Sequence, residues 1–194
     1  FFGTLYNTYS FFALYANIDG FTGQEAEVPV AERPEIDRWI LSELNTLIKD
    51  VTKYLEDYDP TPAARCIDQF VNENLSNWYV RLNRKRFWGG ELTTDKLAAY
   101  QTLYTCLETV VMLAAPIAPF ISDRIFCDLN AVSGRHSEES VHLSTFPKCN
   151  EELINSELEA MMQLAQRASS MVLALRRKVN IKVRQPLTKI IIPV

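Results

Sequence analysis

The sequence predicts a mainly α-helical fold, an antiparallel helical bundle that ends in a short, truncated β segment. Most of the chain repeats apolar residues at three- and four-residue steps, a spacing that gives a helix one apolar face. The last stretch, 181–194, is instead rich in β-branched residues, which favour one or two strands. The 194 residues are 47% hydrophobic and 23% charged, so the chain is long enough to bury a sizeable core.

The first segment, 4–17, is apolar, rich in aromatic residues and long enough for a helix. We expect such a surface to pack on its neighbours or on a domain that precedes it. The residues that follow, 19–34, predict a loop, because glycines and prolines discourage regular structure there.

The next helix is predicted to run from Glu35 to about Tyr58. Pro34 suits its first turn, and Glu35 and Asp37 place negative charge where the helix dipole favours it. Its apolar stripe consists of Ile36, Trp39, Ile40, Leu44, Leu47, Ile48, Val51 and Leu55.

The sequence Asp-Pro-Thr-Pro at 59–62 ends that helix and begins another, which is predicted to reach about Arg86 with Asp59 as its N-cap. At roughly 100° per residue, the apolar residues of this helix fall on one face. The face that we expect to be buried consists of Ile67, Val71, Leu75, Trp78 and Leu82.

Three further helices are predicted at about 94–115, 119–129 and 151–178. Thr93 or Thr94 begins the first of these, Pro119 opens the second, and Asn150 caps the third. The residues at 131–150 are predicted to be irregular, because they include glycine, proline and several serines.

This organisation predicts three parts: a helix and loop at 1–33, the helical bundle at 34–178, and the start of a β-containing appendage at 179–194. The chain begins with Phe1 and its first methionine is Met112, which indicates a piece of a larger protein.

Cysteine spacing and hydropathy exclude several classes of protein. The four cysteines lie at least 21 residues apart and form no C-x-x-C pair, so no metal site is predicted. Scattered thiols suit a reducing compartment, so we expect a cytoplasmic location. The longest uncharged apolar run, 110–121, has 12 residues, too few to cross a membrane.

The segment 72–88 carries the strongest functional signal, because it combines aromatic and basic residues in an acidic chain. The chain has 20 Lys and Arg against 24 Asp and Glu, yet the window 81–88 holds four basic residues and no acidic one. Aromatic faces stack on unpaired bases, and guanidinium groups bind phosphates and base edges, so a single-stranded RNA target is predicted. The candidate contacts are Asn77, Tyr79, Arg81, Arg84, Lys85, Arg86 and Trp88.

Four of these candidates, Asn77, Arg81, Arg84 and Trp88, step by four, three and four residues and therefore form a line beside the predicted buried face. A solvated helix end is the alternative interpretation of the cations, since positive charge is favourable at a helix C-terminus. Capping does not explain a tryptophan directly after the basic residues and before two glycines, and this favours the RNA interpretation.

A second set of candidate RNA contacts lies near the end of the last predicted helix, at Arg176, Arg177, Lys178 and Arg184. Helix capping and solubility explain this patch about as well as contact with an RNA stem does. No catalytic residues are predicted, and no glycine-rich loop of the kind that binds nucleotide phosphates is present.

The motif N-W-Y-V-R-L-N-R-K-R-F-W at 77–88 resembles the anticodon-binding helical bundle of class Ia aminoacyl-tRNA synthetases, in particular the isoleucyl-tRNA synthetase family. The resemblance covers nearly the whole chain. Further motifs that carry it lie at 7–20, 37–44, 115–120, 140–147 and 183–187. The last two resemble the isoleucine branch rather than the valine or leucine branches.

The resemblance implies a parent protein that activates isoleucine with ATP and Mg²⁺ and esterifies its tRNA. The catalytic H-I-G-H and KMSKS signatures and the editing domain are absent here, so this fragment is expected to bind no cofactor and to perform neither step. Its implied partners are the anticodon stem-loop of isoleucine-accepting tRNA and the missing catalytic and editing domains. Residues 1–33 would form the junction that follows the catalytic domain.

Two alternatives remain open from the sequence. One is a helical scaffold that binds other proteins through its aromatic N-terminal segment. The other is the equivalent domain of a valine, leucine or methionine synthetase.

Overall fold

Helices supply the regular structure in the part of the chain that the computed structural model describes, residues 1–189 and 191. The α-helices are α1 (Phe2–Asp19), α2 (Glu35–Glu56), α3 (Pro60–Gln69), α4 (Arg81–Phe87), α5 (Thr94–Ala114), α6 (Pro119–Ser133) and α7 (Ser156–Lys178). A π-helix, Phe70–Val80, joins α3 directly to α4, so that one continuous helical segment extends from Pro60 to Phe87. The prediction of a mainly α fold is confirmed.

The chain divides into two compact units, Phe1–Asn155 and Ser156–Val194. The first unit holds α1 to α6 and the second holds α7. The domain boundaries predicted at 33/34 and 178/179 stay predictions. Helix α1 lies within the first unit because its buried residues, Leu5 and Phe12 among them, pack with the π-helix and α5.

The predicted terminal strands have no counterpart among the described residues of 181–194. Residues 181–189 and 191 form turns, bends and irregular backbone. Residue 190 and residues 192–194 lie outside the described part of the chain.

The predicted N-cap Asp59 forms, and Thr93 caps the helix that was predicted to begin at 93 or 94. The Asp59 carboxylate accepts a hydrogen bond from the Thr61 N–H at 3.3 Å, and the Thr93 hydroxyl accepts one from the Lys96 N–H at 3.2 Å. These contacts satisfy backbone donors that have no partner within the helix.

Asn150 also caps a helix, but not the one that was predicted. Its side chain accepts a hydrogen bond from the Glu152 N–H at 3.1 Å and begins the short 3₁₀ turn Glu151–Leu153. The long helix then starts afresh at Ser156 instead of 151.

Helix α5 is the central helix of the first unit, with buried residues on most of its surface. It is also the one helix in the described chain that is long and apolar enough to cross a membrane. Because 72% of the qualifying window is buried inside the protein, core packing accounts for its apolar composition.

The buried face of the segment Pro60–Phe87 differs from the predicted one after Leu75. Trp78 is only half-buried and Leu82 is 56% exposed. The buried residues instead recur every four positions: Val71, Leu75, Tyr79, Asn83 and Phe87.

The π-helix explains this shift of one residue. Four residues of an α-helix overshoot a full turn by about 40°. A π-helix has i→i+5 hydrogen bonds and a wider turn, so four residues fall short of a full turn. Along the segment, the overshoot in the α-helical turns and the shortfall in the π-helical turns offset one another. Residues four positions apart therefore stay on the same face.

Two leucine-to-alanine substitutions test this register. We expect Leu75→Ala, at a side chain with no exposed surface, to lower the free energy of unfolding by about 2–5 kcal/mol. We expect the matched substitution Leu82→Ala to cost under about 0.5 kcal/mol, because Leu82 faces solvent. Denaturant unfolding of both variants measures the difference. Equal losses would contradict the register described here.

Candidate nucleic-acid interface

Five of the seven predicted contacts lie together on the surface of the continuous helical segment. These five exposed residues, which we call the basic ridge, are Asn77, Arg81, Arg84, Lys85 and Trp88. Within the described part of the chain, the three cations of the ridge take part in no ion pair. Their charges are therefore available to an anionic ligand.

Trp88 stands at the end of α4, where the helix stops. Its backbone is extended, with φ −87° and ψ 114°, and the next two residues, Gly89 and Gly90, have φ of 63° and 76°. Side-chain-bearing residues rarely adopt this left-handed conformation, so the two glycines permit the turn. The Trp88 residue is left 52% exposed, with indole surface on which a base could stack.

Tyr79, predicted as a stacking residue, is fully buried, and that prediction is wrong. Its hydroxyl donates a hydrogen bond to Asp37 Oδ1 at 2.8 Å. Burial raises the pKa of Tyr79 well above its usual value, and the neighbouring Asp37 carboxylate raises it further. The phenol is thus a protonated donor within the core and offers no face to a base.

Arg86, predicted to bind phosphates, instead forms hydrogen bonds within the protein. A guanidinium group has five N–H donors, and all five are used here. Two of them bind the fully buried Asp37 carboxylate side by side, at 2.7 and 2.9 Å. The others bind the Asp95 carboxylate, the Asp95 carbonyl and the Asn83 side chain, at 3.0, 2.7 and 3.1 Å.

The pair formed by Asp37 and Arg86 connects α4 to α2. Burial by itself would lower the pKa of Arg86, but hydrogen bonds to Asp37 and the charge of Asp37 raise it above its usual value. An unpaired carboxylate in this position would be costly, because a buried charge needs a partner and hydrogen bonds. Arg86 is therefore a structural residue, and the prediction of a phosphate contact for it is corrected.

Lys96 is a buried cation beside the ridge for which no sequence pattern provided a signal. Its ammonium group pairs with Asp19, the last residue of α1, and also donates a hydrogen bond to the Gly89 carbonyl at 3.1 Å. Asp19 accepts a further hydrogen bond from the Tyr100 hydroxyl. Although burial acts to raise the pKa of Asp19, the hydrogen bonds from Lys96 and Tyr100 lower it below its usual value.

The second basic patch lies in the unit that begins at Ser156. The Arg176 guanidinium donates hydrogen bonds to the Lys182 carbonyl at 2.7 Å and to the Gln185 carbonyl at 2.9 Å, which stabilises the turn after α7. The other three predicted residues, Arg177, Lys178 and Arg184, are exposed. Contact of this patch with RNA stays a prediction.

No group of three or more metal-binding side chains occurs among the described residues. The ridge itself presents three cations, one amide and one indole. Such groups bind nucleic acid through charge, hydrogen bonds and stacking.

Similarity to known proteins places the chain in a family. Residues 37–192 match the family described as the anticodon-binding domain of tRNA ligase. Among curated relatives, the isoleucine–tRNA ligase of Bacteroides thetaiotaomicron is 71% identical over 194 residues, which is all of this chain and 17% of that protein. The isoleucine–tRNA ligase of Cytophaga hutchinsonii is 63% identical over 194 residues, again all of this chain and 18% of the relative.

A more distant isoleucine–tRNA ligase, from Dehalococcoides mccartyi strain CBDB1, is 50% identical over 186 residues, 96% of this chain and 18% of the relative. The chain therefore spans less than a fifth of the length of these relatives. The resemblance to the isoleucine branch is confirmed, and the alternatives of a protein scaffold or of another synthetase are not favoured. The chain belongs to the family of anticodon-binding domains of tRNA ligases.

Proposed function

We propose that this chain binds the anticodon stem-loop of isoleucine-accepting tRNA, within a parent protein that joins isoleucine to that tRNA with ATP and Mg²⁺. The observation that carries the proposal is the basic ridge in a chain of net charge −4. Its three cations, which have no ion pair in the described part of the chain, share the ridge with a half-exposed tryptophan. In the parent protein, docking at this site would align the distant acceptor end of the tRNA with the catalytic domain.

Trp88 is the stacking residue in this proposal. An anticodon base that has left the loop stack would lie on its exposed indole, an interaction that contributes about 1–3 kcal/mol. Asn77, at the other end of the ridge, carries both a donor and an acceptor on its amide, which suits the edge of another base.

Arg81, Arg84 and Lys85 are the phosphate-binding residues. Each phosphate that a cation neutralises releases a counterion, so affinity falls as salt rises, with a slope of about −0.7 per contact for single strands. Three contacts give a slope of about −2 in a plot of log K against log salt. The overall negative charge of the protein confines RNA to this local surface.

Arg177, Lys178 and Arg184 form the second proposed contact, with an RNA stem. All three side chains are exposed. Arg176 is left out of this set because its guanidinium already binds backbone carbonyls of the following turn.

Substitutions on the ridge distinguish the contribution of stacking to RNA affinity from that of charge. We expect Trp88→Ala to weaken binding of an isoleucine anticodon stem-loop by about 5- to 150-fold at constant salt slope, because one stack is lost. We expect Arg84→Ala to weaken binding and to reduce the salt slope by about 0.7, because one phosphate contact is lost. Fluorescence anisotropy with a labelled stem-loop, repeated at several salt concentrations, measures both quantities.

The matched control is Arg65→Ala. Arg65 is an exposed arginine on α3, near the other end of the same continuous helical segment, and lies outside the ridge. Its substitution should leave the affinity and the slope at wild-type values. If Trp88→Ala and Arg84→Ala also bind like the wild type, the ridge is not the interface.

Anticodon identity provides a separate test. We expect the chain to bind a stem-loop with an isoleucine anticodon more tightly than one with the same stem and a scrambled loop, because unstacked bases reach the ridge directly. Competition among isoleucine, valine and methionine anticodon loops measures the preference. Equal affinity for all loops would contradict recognition of the anticodon while leaving general RNA binding intact.

A further inference from the structure

We propose that Arg86 and Lys96 are positioning residues that hold Trp88 in its stacking orientation by fixing the backbone on both sides of it. Neither side chain contacts RNA in this proposal. The inference rests on the proposed function, because it explains how the exposed indole at the RNA surface is kept in place.

Arg86 fixes the backbone before Trp88. It lies two residues earlier, in the last turn of α4, and its guanidinium binds Asp37 on α2 together with Asp95 on α5. The end of α4 is thereby tied to two other helices at once. Because both carboxylates neutralise Arg86, this residue adds little to the field that an RNA phosphate meets.

Lys96 fixes the backbone after Trp88. Its ammonium group binds the carbonyl of Gly89, the next residue, and is itself held by Asp19 at the end of α1. A Cβ atom placed on Gly89 or Gly90 would meet no atom within 4 Å, so the Cβ side of these residues faces open space. The hydrogen bond from Lys96 connects the carbonyl side of the turn to the core.

This arrangement reduces the entropic cost of RNA binding by ordering Trp88 in advance. An exposed side chain that becomes immobile in a complex costs about 0.5–1.5 kcal/mol, and a group that is already ordered avoids part of that cost. The indole of Trp88 is half exposed, so its own packing leaves it partly free. Anchors on either side of it restrict the backbone from which the indole extends, and the loss of either should reduce affinity by about 2- to 10-fold.

Two double substitutions test the proposal without leaving a buried charge unpaired. Arg86→Gln with Asp37→Asn removes the first anchor, and Lys96→Met with Asp19→Asn removes the second. Each pair keeps the net charge of the chain. We expect each double variant to bind the isoleucine anticodon stem-loop about 2- to 10-fold more weakly, with an unchanged salt slope. A lost phosphate contact would reduce that slope by about 0.7.

Combination with Trp88→Ala distinguishes positioning from a general loss of stability. If the anchors act through Trp88, their removal has no further effect on affinity once the indole is gone. If the anchors act through the overall fold, their removal weakens binding equally in the chain with Trp88 and in the Trp88→Ala chain. Thermal unfolding of every variant checks that each one is folded at the temperature of the binding measurement.

A spectroscopic measurement reports on Trp88 directly. The chain contains three tryptophans, so ¹⁹F NMR of protein labelled with 5-fluorotryptophan should give three resonances, and Trp88→Phe assigns one of them. We expect either double variant to shift or broaden the Trp88 resonance. In the Lys96→Met, Asp19→Asn variant, whose changes lie on α1 and α5, the resonance of the fully buried Trp39 on α2 should stay in place. This readout needs no RNA.

The control is an ion pair of similar chemistry on α6, between Arg124 and Asp128 at 3.0 Å. Arg124→Gln with Asp128→Asn should leave the affinity and the Trp88 resonance unchanged. Wild-type affinity of both anchor variants, or an unmoved Trp88 resonance in them, would overturn the positioning role. Failure of the wild-type chain to bind RNA in a salt-dependent way would instead overturn the proposed function, and the positioning role with it.

Discussion

The buried carboxylate of Asp37 is the constraint on which the arrangement around the ridge depends. A charge in the protein interior is stable only when opposite charge and hydrogen bonds surround it. Arg86 supplies two hydrogen bonds and Tyr79 supplies one. These partners come from α4 and the π-helix, while Asp37 lies on α2. Satisfying one carboxylate therefore determines how three helical segments meet.

The same constraint divides the cations of the segment into two groups with different roles. Arg86 is turned toward the core and is neutralised there, whereas Arg81, Arg84 and Lys85 face solvent without an ion pair in the described chain. A helix whose cations all pointed outward would have no such connection to α2. The inward cation gives the surface a fixed geometry, and the outward cations give it charge for an anionic ligand.

The helices were largely predictable because their signals are local. Asp59 caps its helix, as predicted, and Thr93 caps the helix predicted to begin at 93 or 94, both through contacts within three residues of themselves. The line from Asn77 to Trp88 is also on the surface, as its spacing indicated. Asn150 shows the limit of such signals: its capping contact is local and forms, but the chain then makes a short turn before the long helix begins at Ser156.

The α-helical class, most of the helix boundaries, the exposed line of basic and aromatic residues and the resemblance to the tRNA ligase family all follow from local patterns in the sequence. The inward orientation of Tyr79 and Arg86 depends on long-range packing. That outcome depends on Asp37, which lies 42 and 49 residues away along the chain, and on a π-helix that moves the buried face by one residue. Neither can be read from spacing, because a periodic pattern assumes one helical pitch and contains no information about which distant charge a side chain will meet.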